Sequence, residues 1–577
     1  MNIFSSMKKN KTKNYWEKYY TKDVWNVKVP DVSIYTYMSG NALNHMNAYA
    51  YNYFGKTVKF DEFLKQIDLC ARAFRSQGIR KGDIVTICMP NTPEGVICFY
   101  ALNKIGAISN MIHPLSGEKE IKAYLNETNS VMLVMIDLCY EKIKNIIKET
   151  NVYKTVVVSA KDSMPFLLGL GYSFTKGLKI EKPRGSSEYI YYKEFLLKGY
   201  KYNGHYEEKM GKDDPAVILH SGGTTGTPKG IVLSNGNFNA MAVQAKYVFN
   251  GLGPGDSCLT IMPIFHGFGL GVSVHCPLSL GITPILIPQF DAKKFDKLLK
   301  KYKTNVLLGV PTLYEALVNT GNTNLDLSGL KFVISGGDSL SSTLERRINV
   351  FLAECGCNAK VNQGYGMTEC LAAVALSYGK GSREGSIGIP FPGNYFKIVK
   401  PGTQEEMPIG EDGEICISGP TVMAGYLDNE KETNEVLQIH KDDRIWLHTG
   451  DIGCMDKNGI IFYRQRLKRM IISSGYNVYP SYVESVIEEH EAVLKCTVIG
   501  IPHKYKVEVP KAYIVLRDGY NTSLSVKNSI KKHCEKNLAK YSIPYEFEFR
   551  KSIPKTLLGK IDINKLKEES EDTLDEE

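Results

Sequence analysis

The 577-residue sequence has no uninterrupted apolar run long enough to cross a bilayer, so a helical membrane-spanning protein is excluded. Its first residues, MNIFSSMKKNKTKNYW, lack an apolar core behind the lysines. A short disordered arm and a cytoplasmic location are expected there, not a secretory signal. The eleven histidines are dispersed without ligand spacing, which excludes an obvious structural metal site. The thirteen cysteines stand singly in apolar segments apart from Cys355 and Cys357, beside Gly356, so buried reduced thiols are expected, not disulfides. No basic run is interleaved with aromatics, which argues against nucleic-acid binding despite a formal net charge of +9. Internal repeats and extended low-complexity linkers are also missing.

What remains is an ordinary globular composition, 43% apolar, on a chain too long for one compact core. Phe60, Phe63, Leu64, Ile67, Cys70, Ala71 and Phe74 recur at helical spacing and stop at Gly78, before a strand at Ile84 to Met89. Short β-branched or apolar runs follow at Val131 to Ile136, Thr155 to Ser159, Ile285 to Ile287, Val306 to Leu308 and Phe332 to Ser335, with helical patterns between several of them. This alternation predicts an α/β architecture with mostly parallel sheets. Further on, Tyr482 to Ile487 reads as helix and Ala492 to Ile499 and Lys511 to Leu516 as strands, enough for a small α+β domain. The segment Met164 to Leu178, MPFLLGLGYSFTKGL, is too short to span a membrane. It reads either as a buried loop or core segment, which is preferred, or as a patch lying at an interface. The acidic end from Glu568 to Glu577 reads as a disordered, solvated tail.

The densest chemical signal is His220 to Gly230, HSGGTTGTPKG, after the apolar run Ala216 to Leu219. Glycines let backbone N–H groups approach an anion, Ser221 and the hydroxyls of Thr224, Thr225 and Thr227 add donors, and Lys229 adds positive charge. Such a loop suits a polyphosphate. Pro228 before the lysine and Gly230 after it break the Walker pattern, and a plain glycine-rich hairpin is the bland alternative.

The loop resembles the phosphate loop of the adenylate-forming superfamily, which includes acyl-CoA synthetases, aryl-CoA ligases, luciferase and peptide-synthetase adenylation domains. Four further segments are similar to that family in order: NQGYGMTE at 362–369, WLHTGDIG at 446–453, RLKRMIISSGYNVYP at 466–480 and PKTLLGKI at 554–561. The resemblance implies a large ATP- and acyl-binding domain over 1–466 and a mobile lid over 467–577, hinged near Lys468. It implies ATP, Mg²⁺ and CoA as cofactor and co-substrates, which also accounts for the positive charge. Ser221, Gly222, Gly223, Thr224, Thr225, Gly226, Thr227 and Lys229 would cradle phosphate. Gly336, Gly337, Gly364, Tyr365 and Gly366 would border adenine and acid, Thr368 would reach the α-phosphate, and Glu369 would hold magnesium. Asp451 and Arg466 would clamp the ribose. Lys560 would bridge the carboxylate and the adenylate oxygen, and Gly475 and Asn477 would border the CoA channel. His266, Gly309, Val310 and Ser335 would line the acyl pocket, with His266 gating entry.

Phe265, Phe268 and Leu270 beside that pocket are apolar, so a medium- or long-chain fatty acid is the expected substrate. An aryl- or bile-acid-type ligase, a stand-alone enzyme loading a carrier protein and a catalytically silent nucleotide or lipid binder are the alternatives. Two positions depart from the family. Gln465 replaces its usual glycine, and Arg469 its usual acidic residue after the hinge lysine. Ile472 stands where some aryl-CoA ligases carry a catalytic lysine.

Overall fold

The computed structural model describes residues 15–181, 183, 187–221, 229–473, 476–503, 506–556 and 561–572. Two large sheets dominate. In the first, eight strands follow the order Gly425–Tyr426, Lys229–Ser234, Pro215–Ser221, Ile108–Met111, Ile84–Cys88, Met132–Ile136, Lys154–Val158, Tyr189–Tyr191. From Pro215–Ser221 onward the neighbours are all parallel, so their carboxyl ends share one edge. That edge is where open α/β sheets bind ligands.

The expected helix at Phe60 forms as Phe60–Ser76, burying Phe60, Phe63, Ile67, Cys70, Ala71 and Phe74. Each fully buried phenylalanine contributes about 1.5–3 kcal/mol. Asp61 and Glu62 favour its positive end, and Gly78, at φ +96°, turns the chain away after it.

The second sheet has nine strands, among them Val306–Gly309, Phe332–Ser335 and Val361–Tyr365, adjacent and parallel. A five-stranded antiparallel sheet carries Gly413–Ser418, Ile445–Met455 and Ile461–Arg466. The C-terminal five-stranded sheet is centred on Val493–His503 and Val507–Leu516, with helix Pro480–Glu488 beside it. Among the described residues the buried apolar clusters of the first part end at Ile461, and those of the last begin at Ile471. All thirteen cysteines are buried free thiols.

Three sequence expectations are corrected. The N-terminal arm does not extend to Trp16, which is wholly buried, stacks on Trp25 and donates from Nε1 to the Gly459 carbonyl at 2.7 Å. Residues 1–14 lie outside the described chain. The acidic end is helical over Ile563–Asp572, because buried Leu566 and the Arg550–Glu569 ion pair hold that helix to the sheet. The segment at Met164 to Leu178 is not a core element. It carries a helix, Phe166–Phe174, none of whose residues is buried.

Candidate active site

The phosphate-loop motif leaves strand Pro215–Ser221 at the ligand edge and returns as Lys229–Ser234, antiparallel, with Ser221 opposite Lys229. Gly222 through Thr227 lie between them, outside the described residues. His220, at the mouth of the loop, binds Asn110 Oδ1 through Nε2 at 2.7 Å and rests on the Tyr124 ring. Burial lowers its pKa to about 4, so the imidazole is neutral at physiological pH. Lys229 pairs with Glu432 at 2.5 Å and lies 5.0 Å from the centre of the Tyr426 ring.

Tyr426 links this lysine to the second motif by donating its hydroxyl to Glu369 Oε1 at 3.1 Å. Glu369 and Thr368 sit in a short 3-10 turn after strand Val361–Tyr365. The turn folds back so tightly that a Cβ on Gly366 would lie 1.6 Å from the Ala372 carbonyl oxygen, so only glycine fits. Leu371 and Ala372 take positive φ, 63° and 126°, at this bend. Residues held in such conformations concentrate at functional sites.

Tyr365, which ends the strand, donates its hydroxyl to Asp451 Oδ2 at 2.7 Å, and Arg466 Nε lies 2.9 Å from Oδ1 of the same carboxylate. Asp451 and Arg466 are register partners across strands Ile445–Met455 and Ile461–Arg466. Burial raises the Asp451 pKa, while Arg466 and the Tyr365 hydroxyl oppose that shift. Behind Asp451, Glu414 accepts from Gly450 N–H at 3.0 Å and holds His448 Nδ1 at 3.0 Å. Gly450 has φ +66°, which suits the turn that aims Asp451 inward.

A cavity of 780 Å³ lies against these groups; Asp451 is buried just behind its wall, which Tyr365, Gly450 and Arg466 form around it. Lys229, His266, Gly336, Gly337, Gly364, Tyr365, Gly366, Thr368, Glu369, Arg466 and Lys468 all line the cavity. His266 precedes an unusual π-helix, Phe268–His275, and accepts the Phe268 N–H through Nδ1 at 3.2 Å. π-helical turns often mark functional positions. Gly309, Val310 and Ser335 are not on the cavity wall, and Ser335 is fully buried. The apolar arm is instead built from Met241, Ala245 and Val248 of helix Asn235–Val248, facing Val272 and Cys276. Sequence reading missed this arm, as it missed Glu414, Tyr426, Glu432 and His448. A repeat of small and apolar residues along 235–248 was the one signal available.

At the hinge position, Lys468 lies in the short turn Leu467–Arg469. Arg469 binds Glu484 of helix Pro480–Glu488 at 2.6 Å, so the residue that departs from the family has an ionic partner in the following segment. Gln465 is 1% exposed and neither end of its amide has a hydrogen-bond partner, a substitution that nothing in the structure explains. Gly475 and Lys560 lie outside the described residues, and of Ser221 and Asn477 only the backbone, in strands, is described. Thr556, four residues before Lys560, lines the cavity. For a divalent cation the site offers oxygen donors, the Thr368 hydroxyl and the Glu369 carboxylate, which suit a hard ion.

The chain also matches known proteins in sequence and in fold. The AMP-binding enzyme family matches residues 39–427, and the AMP-binding enzyme C-terminal domain matches residues 482–560. A long-chain-fatty-acid–CoA ligase of Bacillus subtilis is 30% identical over 560 residues, 96% of this chain and 98% of its own length. One from Haemophilus influenzae is 32% identical over 538 residues, 90% and 91% of the two chains. In fold, the chain is similar to the ATP-bound MatB of Rhodopseudomonas palustris, with a TM-score of 0.81 at 23% identity over 94% of this chain and 99% of that one. From its motifs, its fold and these matches, the chain belongs to the AMP-binding enzyme family and is an AMP-forming acyl-CoA synthetase of the adenylate-forming superfamily.

Proposed function

We propose that the enzyme joins medium- or long-chain fatty acids to CoA at the expense of ATP. The observation that carries this reading is the lining of this cavity: a polar mouth at Thr368, Glu369 and Arg466 continues into an apolar arm lined by Met241, Ala245, Val248 and Val272. An alkyl chain fits the arm with its carboxylate at the mouth, and the similarity to long-chain-fatty-acid–CoA ligases supports the same substrate class.

A carboxylate is a poor acyl donor because its leaving group would be oxide. In the first reaction its oxygen attacks the α-phosphorus of ATP, pyrophosphate leaves, and an acyl-adenylate results. In the second, the CoA thiol attacks the acyl carbon and AMP leaves. The first step brings anions together, so positioning and charge neutralisation carry most of the catalysis. In this reading Asp451 accepts from the ribose hydroxyls while Tyr365 and Arg466 hold it in place, and the Tyr365 ring offers adenine a flat face. Thr368 donates to the α-phosphate. Lys229 exchanges Glu432 for phosphate oxygens. Glu369, with one oxygen held by Tyr426, would hold Mg²⁺, whose contribution is to neutralise phosphate charge. Lys560 stabilises the charge that develops between carboxylate and phosphate.

We place the boundary between the ATP- and acyl-binding domain and the lid at 466/467, where the apolar clusters part. Lys468 is the pivot, and Gly475 and Asn477 border the thiol channel after the lid turns. We also place the enzyme in the cytoplasm, where ATP and CoA are available. The test is a pyrophosphate-release assay across acid classes with and without CoA. Release with fatty acids, and thioester only when CoA is present, supports the reading. Release with aryl or amino acids alone replaces the substrate class, and release with none refutes the ligase.

A further inference from the structure

Helix Phe166–Phe174 is built inside out for a protein in water. Phe166, Leu167 and Phe174 are 79%, 80% and 70% exposed, and Leu170 and nearby Leu178 are also exposed. At 100° per residue Phe166, Leu170, Phe174 and Leu167 fall on one face. The rest of the helix carries the half-exposed Leu168, and the groups there that contact protein are polar or small. Ser173 accepts from Lys161 Nζ at 3.0 Å, the Tyr172 hydroxyl is buried, and Gly169 lies against Lys161 and Met164. Soluble helices put their apolar stripe inward. An outward stripe of phenylalanine and leucine marks an interaction surface.

Charge indicates its occupant. Between residues 160 and 184 the sequence carries Lys161, Lys176, Lys179, Lys182 and Arg184 against only Asp162 and Glu181. Both acids are already paired, Asp162 with Lys193 and Glu181 with Lys144. Nine helical residues span about 14 Å, far short of the roughly 30 Å hydrocarbon core, so the helix can lie in a bilayer interface but not cross it. Apolar insertion with flanking basic residues is the pattern of an interfacial anchor on anionic lipid.

Its place in the fold connects it to the acid site. The helix follows strand Lys154–Val158 and so leaves the sheet at the same edge as the phosphate loop. Ser163, just before it, donates to Glu94 Oε1 at 2.5 Å, at the start of helix Pro93–Lys104. Asn91, on the same short segment, donates to the Met262 carbonyl and accepts from Ile264 N–H, gripping the loop that leads to His266.

We propose that helix Phe166–Phe174 inserts its apolar face into an anionic bilayer surface and sets the acid-binding edge of the enzyme against the membrane, where fatty acids partition. The membrane contact stands by itself; the delivery of substrate rests on the fatty-acid reading above.

The test uses the purified full chain with phosphatidylcholine vesicles, with and without phosphatidylglycerol. Wild type is expected to sediment with the anionic vesicles, and a F166E/L170E/F174E variant to bind at least about tenfold more weakly with an unchanged thermal melt. Turnover of octanoate in solution is expected to match wild type, while turnover of palmitate loaded in vesicles falls. Should the triple variant be unstable, K176E/K179E serves instead, with weaker binding confined to anionic vesicles. Wild type remaining in the supernatant overturns the proposal, as does equal sedimentation of folded variants or self-association through this helix without vesicle binding. Vesicle binding without thioester from any acid leaves the anchor standing and overturns only the ligase reading.

Discussion

Asp451 and Arg466 face each other across two antiparallel strands, with Arg466 Nε 2.9 Å from Asp451 Oδ1, and Tyr365 closes the other side of the carboxylate at 2.7 Å. A carboxylate with 2% of its residue surface exposed is tolerated there because Tyr365 hydrogen-bonds one oxygen and the Arg466 guanidinium ion-pairs with the other, and both partners also line the cavity. Asp451→Asn is expected to raise the KM for ATP at least about tenfold, through lost ribose acceptance and a disturbed Arg466. Tyr365→Phe, which removes one hydrogen bond and keeps the ring, should cost less. Steady-state kinetics with ATP varied checks both, and equal effects would argue against the clamp.

Lys560 is the group proposed to act in the first chemical step alone. Lys560→Ala is expected to lower pyrophosphate release by about 10²–10³ while leaving thioester formation from a supplied acyl-adenylate largely intact. Gly475→Leu should do the reverse. If both variants lose both half-reactions equally, the division of labour between the two lid faces fails.

Glu369 shares its carboxylate with Tyr426 and lines the cavity beside Thr368. Chelation of divalent cations is expected to abolish pyrophosphate release. Glu369→Gln should shift the Mg²⁺ dependence to higher concentration by about tenfold or more. A magnesium titration of wild type and variant reads this directly, and coincident curves would remove Glu369 from the metal site.

Glu94 is buried beneath Ser163, and burial raises its pKa from 4.5 to about 7. The folded state therefore favours the neutral acid. This contribution is fully present below pH 4.5 and is lost as pH rises to about 7, amounting to about 3 kcal/mol at most. Glu94→Gln keeps an acceptor for Ser163 and removes the charge. Urea unfolding should show the variant gaining stability relative to wild type at pH 8 but not at pH 4.5, and the same difference at both pH values would contradict the assignment.

Gly366 carries the bend that brings Thr368 and Glu369 to the cavity. Gly366→Ala places a methyl 1.6 Å from a carbonyl oxygen, so the turn must open. A loss of about 3 kcal/mol or more, with ATP binding lost as well, is expected from calorimetry of the apo and ATP-loaded protein.

The α/β class and the positions of the glycine-rich, GYGMTE and HTGD segments were legible because each is a local pattern. Their joining was not. Lys229 meets Glu432, Glu369 meets Tyr426 and His448 meets Glu414 through pairs far apart in sequence, and no spacing rule encodes such contacts. The apolar arm escaped for another reason: residues such as Val248 and Val272 look like core wherever they fall. The same ambiguity reversed the reading of Phe166 to Phe174, since apolar periodicity tells which residues share a face but not whether that face meets protein or solvent. At the C-terminus, composition favoured disorder, but Leu566 and Glu569 supply an anchor that a count of charges does not register.

The most direct test of the account is pyrophosphate release with ATP, Mg²⁺ and a graded series of fatty acids, measured with and without CoA. The account predicts release with medium- and long-chain acids, and acyl-CoA formed only when CoA is added. ATP binding without pyrophosphate release from any acid would contradict it.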